Sequence, residues 1–226
     1  MDEIVLKLPP RTDYAANEAF DALAANIRLS KSVKILVLTS CTDSKNCAAT
    51  VLEAAKTLAA GRRVLVIDAD LRNSPIATEY IAQDKNVGLS NLLLGTAGPI
   101  DTICFTDVDG LDLVTAGTPV SNPIALLEST AFDDFLEAVY DEYDHILINT
   151  PPILQIADAA LVAAAADASA LIVNCWSDSH RDLLTAKALL EKSQRPILGT
   201  IVTGVSAGKR KRLSRLLSRI PFFSKK

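Results

Sequence analysis

Aromatic residues make up only 5% of this 226-residue chain, with a single tryptophan and a single methionine, so its interior has to be built from aliphatic side chains. Long hydrophobic runs are also lacking. The longest apolar stretches are strand-sized or broken by charges, which excludes a membrane-spanning helix and a signal peptide and leads to the expectation of a cytoplasmic protein. The four cysteines, Cys41, Cys47, Cys104 and Cys175, lack the spacing of a metal site and are expected as reduced thiols. Cys47 leaves two readings open: an inert position at a helix start, or a thiol made reactive by a lowered pKa. No repeat or low-complexity linker interrupts the chain. What is present is 49% hydrophobic content in apolar runs that alternate with Ala/Leu-rich stretches. That pattern predicts one α/β domain over residues 1–208, a doubly wound and mainly parallel sheet flanked by helices, followed by a tail over residues 209–226.

The parts follow one another along the chain. A leader runs to about Thr12, followed by a helix near 14–29 and an apolar strand over 33–40. A loop over 41–46 leads into a helix over 47–60, and a second strand covers 63–70. A short helix lies within 88–95, a third strand at 111–115, and an amphipathic helix at 129–143 feeds a strand ending at Asn149. A helix near 158–166, a strand at 170–175, a helix near 179–193 and a last strand at 197–203 complete the domain.

The loop after the first strand lacks glycine altogether. A loop that cradles nucleotide phosphates is Gly-rich and ends in Lys-Ser/Thr, the lysine for the outer phosphates and the hydroxyl for Mg²⁺. Here the sequence is Ser44-Lys45-Asn46-Cys47-Ala48. Aligned by the following helix, Cys47 takes the lysine position and Ala48 the hydroxyl position, with Lys45 two residues early; a one-residue gap puts Asn46 at the lysine position instead. Asp43 stands where its carboxylate can cap the helix amides and occupy the field that attracts a phosphate. A second loss comes at Asn149, at the carboxyl end of the buried run 143–149. A nucleotide-hydrolysing protein carries aspartate there, and a neutral amide cannot supply charge to hold Mg²⁺. Asp68, Asp70 and Arg72 remain at the end of the second strand. The two carboxylates either cap the next turn and stay solvated, or hold a hydrated cation.

The segments 64–75 (VLVIDADLRNSP), 88–95 (GLSNLLLG), 111–129 and 143–159 (YDHILINTPPILQIADA), in this order and spacing, resemble the bacterial tyrosine kinases of exopolysaccharide and capsule synthesis, the CpsD/CapB type. The likeness runs from about Glu18 to Val205 and implies a P-loop NTPase-like kinase domain. In that family the loop is Gly-Glu-Gly-Lys-Ser-like, an aspartate stands at the position of Asn149, and an asparagine near the base stands at Thr203. The resemblance further implies Mg²⁺-binding and catalytic roles for Asp68 and Asp70. Two other family features are missing. The Glu-x-x-Arg-x-x-Arg pattern that joins subunits in a ring reads Glu18-Ala19-Phe20-Asp21-Ala22-Leu23-Ala24, and no tyrosine follows Tyr143, so the C-terminal tyrosine cluster is absent.

The tail concentrates positive charge. Lys209, Arg210, Lys211, Arg212, Arg215, Arg219, Lys225 and Lys226 are its eight basic residues and it has no acid; with the whole chain at −4, the remainder carries −12. Leu213, Leu216, Leu217 and Ile220 recur at helical spacing, and the combination suits an anionic inner-leaflet surface or a membrane protein. A solvated basic tail is the bland alternative, and the acidic body gives no reason to expect nucleic acid.

These readings point first to a catalytically inactive relative of the polysaccharide tyrosine kinases, an adaptor peripheral to the inner face of the membrane with no cofactor. Its partners would be a membrane-embedded co-polymerase or chain-length protein and an intact paralogue. The alternatives are an ATP- and Mg²⁺-dependent tyrosine kinase with an unorthodox loop, and a membrane-positioning ATPase of the deviant P-loop superfamily.

Overall fold

Strands and helices alternate along the chain because apolar runs of strand length are separated by stretches with helical periodicity. In the computed structural model, which describes residues 4–8, 14–83 and 87–205, the strands are β1 (Ile35–Ser40), β2 (Val64–Asp68), β3 (Ile103–Phe105), β4 (Leu111–Val114), β5 (His145–Asn149), β6 (Ala168–Asn174) and β7 (Ile197–Thr203). The helices are α1 (Tyr14–Leu29), α2 (Ser44–Leu58), α3 (Leu89–Leu93), α4 (Pro99–Thr102), α5 (Pro123–Leu127), α6 (Thr130–Tyr140), α7 (Asp158–Ala165) and α8 (His180–Leu190). The sheet order is β3-β4-β2-β5-β1-β6-β7, parallel throughout except for the antiparallel pair β3/β4.

Successive strand residues point to opposite faces, so each central strand feeds two cores. Val37, Ile67, Ile148 and Val173 face a layer built from α3 and α5 to α8. Leu36, Leu38, Val66 and Ile172 face α1 and α2. The crossover from β1 through α2 passes over β5 to reach β2, and the one from β5 through α7 passes β1 to reach β6. Neighbouring strands β1 and β5 therefore send their connections in opposite directions, and the crevice this opens at their carboxyl ends is where α/β sheets hold ligands.

Four details differ from the sequence expectation. The helix after β1 begins at Ser44 and not at Cys47, because Asp43 caps it there and no glycine prolongs the loop. The strand at 111–114 is the fourth; β3, with only three residues, and the helices α4 and α5 carry too little periodicity to be read. A π-helical turn spans Ile76–Tyr80. Residues 4–8, expected as a leader, form a buried strap: Ile4 is 2% exposed and Leu6 9%. The strap donates from Ile4 N–H to Phe105 O (2.8 Å) and from Lys7 N–H to Tyr80 O (2.9 Å), so it closes the β3 edge against the π-helical turn.

Candidate functional site

Two turns meet at the carboxyl edge. The first, after β1, is only residues 41–43. The Asp43 carboxylate accepts from Asn46 N–H at 3.0 Å, and its second oxygen accepts from Asn174 Nδ2 at 3.4 Å. Ser40 Oγ donates to Asp43 O at 2.8 Å, and Thr42 Oγ1 donates to Asp178 Oδ1 at 2.8 Å. Asn46 Nδ2 donates to Thr203 Oγ1 at 2.8 Å, which joins the helix start to the end of β7. The carboxylate thus sits at the start of α2 on the Asn46 amide, in the place and with the sign of charge that a phosphate would take.

The five loop positions singled out in the sequence do not converge. Ser44, Lys45 and Asn46 lie in the first turn of α2 and not in a loop. Lys45 points outward to form an ion pair with Glu79 of the π-helical turn, with 68% of its side chain exposed. Cys47 and Ala48 are fully buried against the sheet. Burial first, then the charges of Asp68 and Asp70, hold the Cys47 thiol far above its usual range, so it is protonated and inert. Burial likewise pushes Cys41 up to about 12.

The second turn, after β2, gathers the acids. Asp68 is 0% exposed and Asp70 2%, which corrects the expectation of solvated carboxylates. At this strand end Ser74 and Asn149 close over the Asp68 carboxylate. The capping half of the expectation holds: Asp70 Oδ1 accepts from Asn73 N–H at 3.0 Å and from Arg72 N–H at 3.3 Å. Asp68 Oδ1 accepts from Asn149 Nδ2 at 2.9 Å and from Asp70 N–H at 3.2 Å, and Asp68 Oδ2 accepts from Ser74 Oγ. Burial raises the Asp68 carboxyl to about 7 despite these donors, which act in the opposite direction, and burial also raises Asp70. Asn149 is 1% exposed, and its Oδ1 is buried without a hydrogen-bond partner.

Asp158 is the residue the sequence reading missed. It is fully buried at the start of α7 and accepts from Arg72 Nε at 3.0 Å, with the Arg72 side chain 34% exposed. An acid opening the helix after the strand of Asn149 was the available signal; what hid it is the 86-residue separation from Arg72. Thr203 stays bonded to Asn46 rather than facing an open crevice. The basic positions Lys209, Arg210, Lys211, Arg212, Arg215 and Arg219 lie outside the described residues.

The donor set does not fit a phosphate chain with Mg²⁺. No ammonium or hydroxyl stands at positions 47 and 48, Asp43 takes the Asn46 amide, and both oxygens of Asp68 already accept hydrogen bonds. Among the described residues no group of three or more His, Cys, Asp or Glu is arranged to hold a metal ion. No helix among them is long and apolar enough to cross a membrane.

Sheet order and crevice define the class: a P-loop NTPase-like α/β domain. The family follows from comparison. Residues 41–191 match the AAA domain family, and the chain belongs to it and to the lineage of the bacterial capsule and exopolysaccharide tyrosine kinases. It is 35% identical over 188 residues to the tyrosine-protein kinase CpsD of Streptococcus pneumoniae, covering 82% of this chain and 83% of that protein. The crystal structure of the chimerical protein CapA2B2 superposes with a TM-score of 0.78 at 26% identity, covering 85% of this chain and 86% of that one. The kinase domain of the Escherichia coli tyrosine kinase ETK superposes with a TM-score of 0.75 at 27% identity, covering 84% and 77%.

Proposed function

We propose that this chain is a non-catalytic member of the polysaccharide tyrosine kinase lineage that acts as an adaptor in polysaccharide assembly or export. The observation that carries this reading is the pair of substitutions at one edge: Asp43 capping α2 through the Asn46 amide and Asn149 bonded to Asp68. A carboxylate there repels the triphosphate that a glycine loop attracts, and an amide there removes charge that a hydrated Mg²⁺ needs. The partners that suit this reading are a membrane-embedded co-polymerase or chain-length protein and an intact paralogue, with the basic tail on an anionic inner-leaflet surface. Its location is then peripheral at the inner face of the membrane.

A second reading, an ATP- and Mg²⁺-dependent kinase or ATPase, is favoured by one observation: Asp68 and Asp70 both persist at the crevice. Thermal melting with millimolar Mg·ATP separates the two. A ligand at a hundredfold its dissociation constant adds about 2.7 kcal/mol of stability. The adaptor reading expects no shift for the natural chain and a shift once Asn149→Asp is combined with a Gly-Glu-Gly-Lys-Ser graft over 44–48. A saturable rise in the natural chain, equal to that of the graft, overturns it.

A further inference from the structure

The two edges of the sheet are finished differently, and the unfinished one carries an apolar trough. At the β3 edge the strap over residues 4–8 pairs with the strand end. At the other edge, β7 (ILGTIVT) has no neighbour beyond it among the described residues, and no charge or proline from Ile197 to Thr203. Natural sheets protect such edges with charges, prolines or a covering segment, because an open row of amides and carbonyls accepts another chain. Beside this strand, on the α8 side, Leu171 and Leu190 form the floor of a shallow trough, and Leu184, Lys187, Ile197 and Thr200 form its walls. Leu184 is 40% exposed and Leu198, on the strand itself, 42%. Thr200 Oγ1 is buried there without a hydrogen-bond partner.

We propose that residues 209–223 of the same chain dock along the β7/α8 trough through Leu213, Leu216, Leu217 and Ile220. Three observations choose this occupant. The chain leaves β7 at its own carboxyl end, and 21 residues follow Val205, enough to turn back along the strand to the trough at Ile197 and Thr200. Its apolar residues recur at a spacing that gives one stripe on a helix; a helical 12-residue stretch is about 18 Å long, close to the roughly 23 Å of a seven-residue strand. The tail that carries it, residues 209–226, has a charge of +8 against −12 for the rest of the chain, so the body attracts it. The docking does not depend on the adaptor reading. It adds regulation to it: a stripe seated in the trough is withheld from a bilayer, and a surface that draws the stripe out uncovers the β7 edge.

Amide hydrogen exchange on the full chain tests this. Truncation after Val205 should speed exchange at least tenfold at residues 183–190 and 197–203 while leaving β1 and β2 unchanged. Leu184→Glu in the full chain, at an exposed position the fold tolerates, should give the same local rise, as should Leu216→Ser with Leu217→Ser, which keep every charge. Exchange in 183–203 that is indifferent to all three changes overturns the proposal. So does protection of that region that grows with protein concentration and survives truncation, because a second copy would then be the cover.

Discussion

The turn after β1 and the turn after β2 lie side by side at the carboxyl edge, yet one is held from outside and the other from within. The first relies on a half-buried carboxylate, Asp43, whose partners are the Asn46 backbone amide and the Asn174 side-chain amide. The second relies on Asp68, which is fully buried and accepts hydrogen bonds from Ser74, Asn149 and its own downstream backbone. Burial decides how much each contributes. A cap at the surface is replaced by water when removed, whereas an acceptor deep in the fold leaves its donors unpaired.

The largest expected effect therefore comes from the second turn. Asp68→Ala at pH 5 orphans the Asn149 amide and the Ser74 hydroxyl and should lower unfolding stability by about 3 kcal/mol, read as a lower urea midpoint at unchanged slope. A loss below 1 kcal/mol would show that water enters and that the two turns do not differ.

The next effect is the pH dependence that Asp68 itself contributes. The folded Asp68 carboxyl stands at about 7 against 3.8 in the unfolded chain, so the unfolded state releases its proton first as pH rises. Stability from this group is full below pH 4, falls as pH climbs towards 7, and is flat beyond. Asp68→Asn cannot ionise and should escape that fall, gaining on the parent by on the order of 2 to 3 kcal/mol between pH 5 and pH 8. Parallel melting curves for the two proteins across that window would mean that the donors outweigh burial.

The smallest effect belongs to the first turn. Asp43→Ala removes the cap of α2 and should cost about 1 kcal/mol in a thermal melt. A cost equal to that of Asp68→Ala would erase the contrast between a peripheral and a buried carboxylate.

Much of this edge was readable from the residues, and the unread part has a common cause. β1, β2 and β5 announce themselves as apolar runs, and Asp43 three residues before Asn46 is a capping pattern that needs no tertiary information. The glycine-free loop and the amide at Asn149 are plain in the sequence because each is a local substitution. The burial of Asp68 and Asp70 is not local. It depends on Ser74 folding back over the strand end and on Arg72 meeting Asp158, 86 residues away, so two carboxylates at a strand end looked solvent-facing. β3 failed for the opposite reason, since three residues are too few to show a period.

The strap over residues 4–8 has a kinetic consequence. Leu6 N–H reaches Asp107 Oδ1 at 2.9 Å across 101 positions of sequence, and Ile4 meets Phe105 and Asp107 in the same way. No local structure rewards these residues before β3 and the π-helical turn exist, and closing so long a loop comes late on a folding route. The strap should thus be the last piece to settle at its edge and, by microscopic reversibility, the first to lift there.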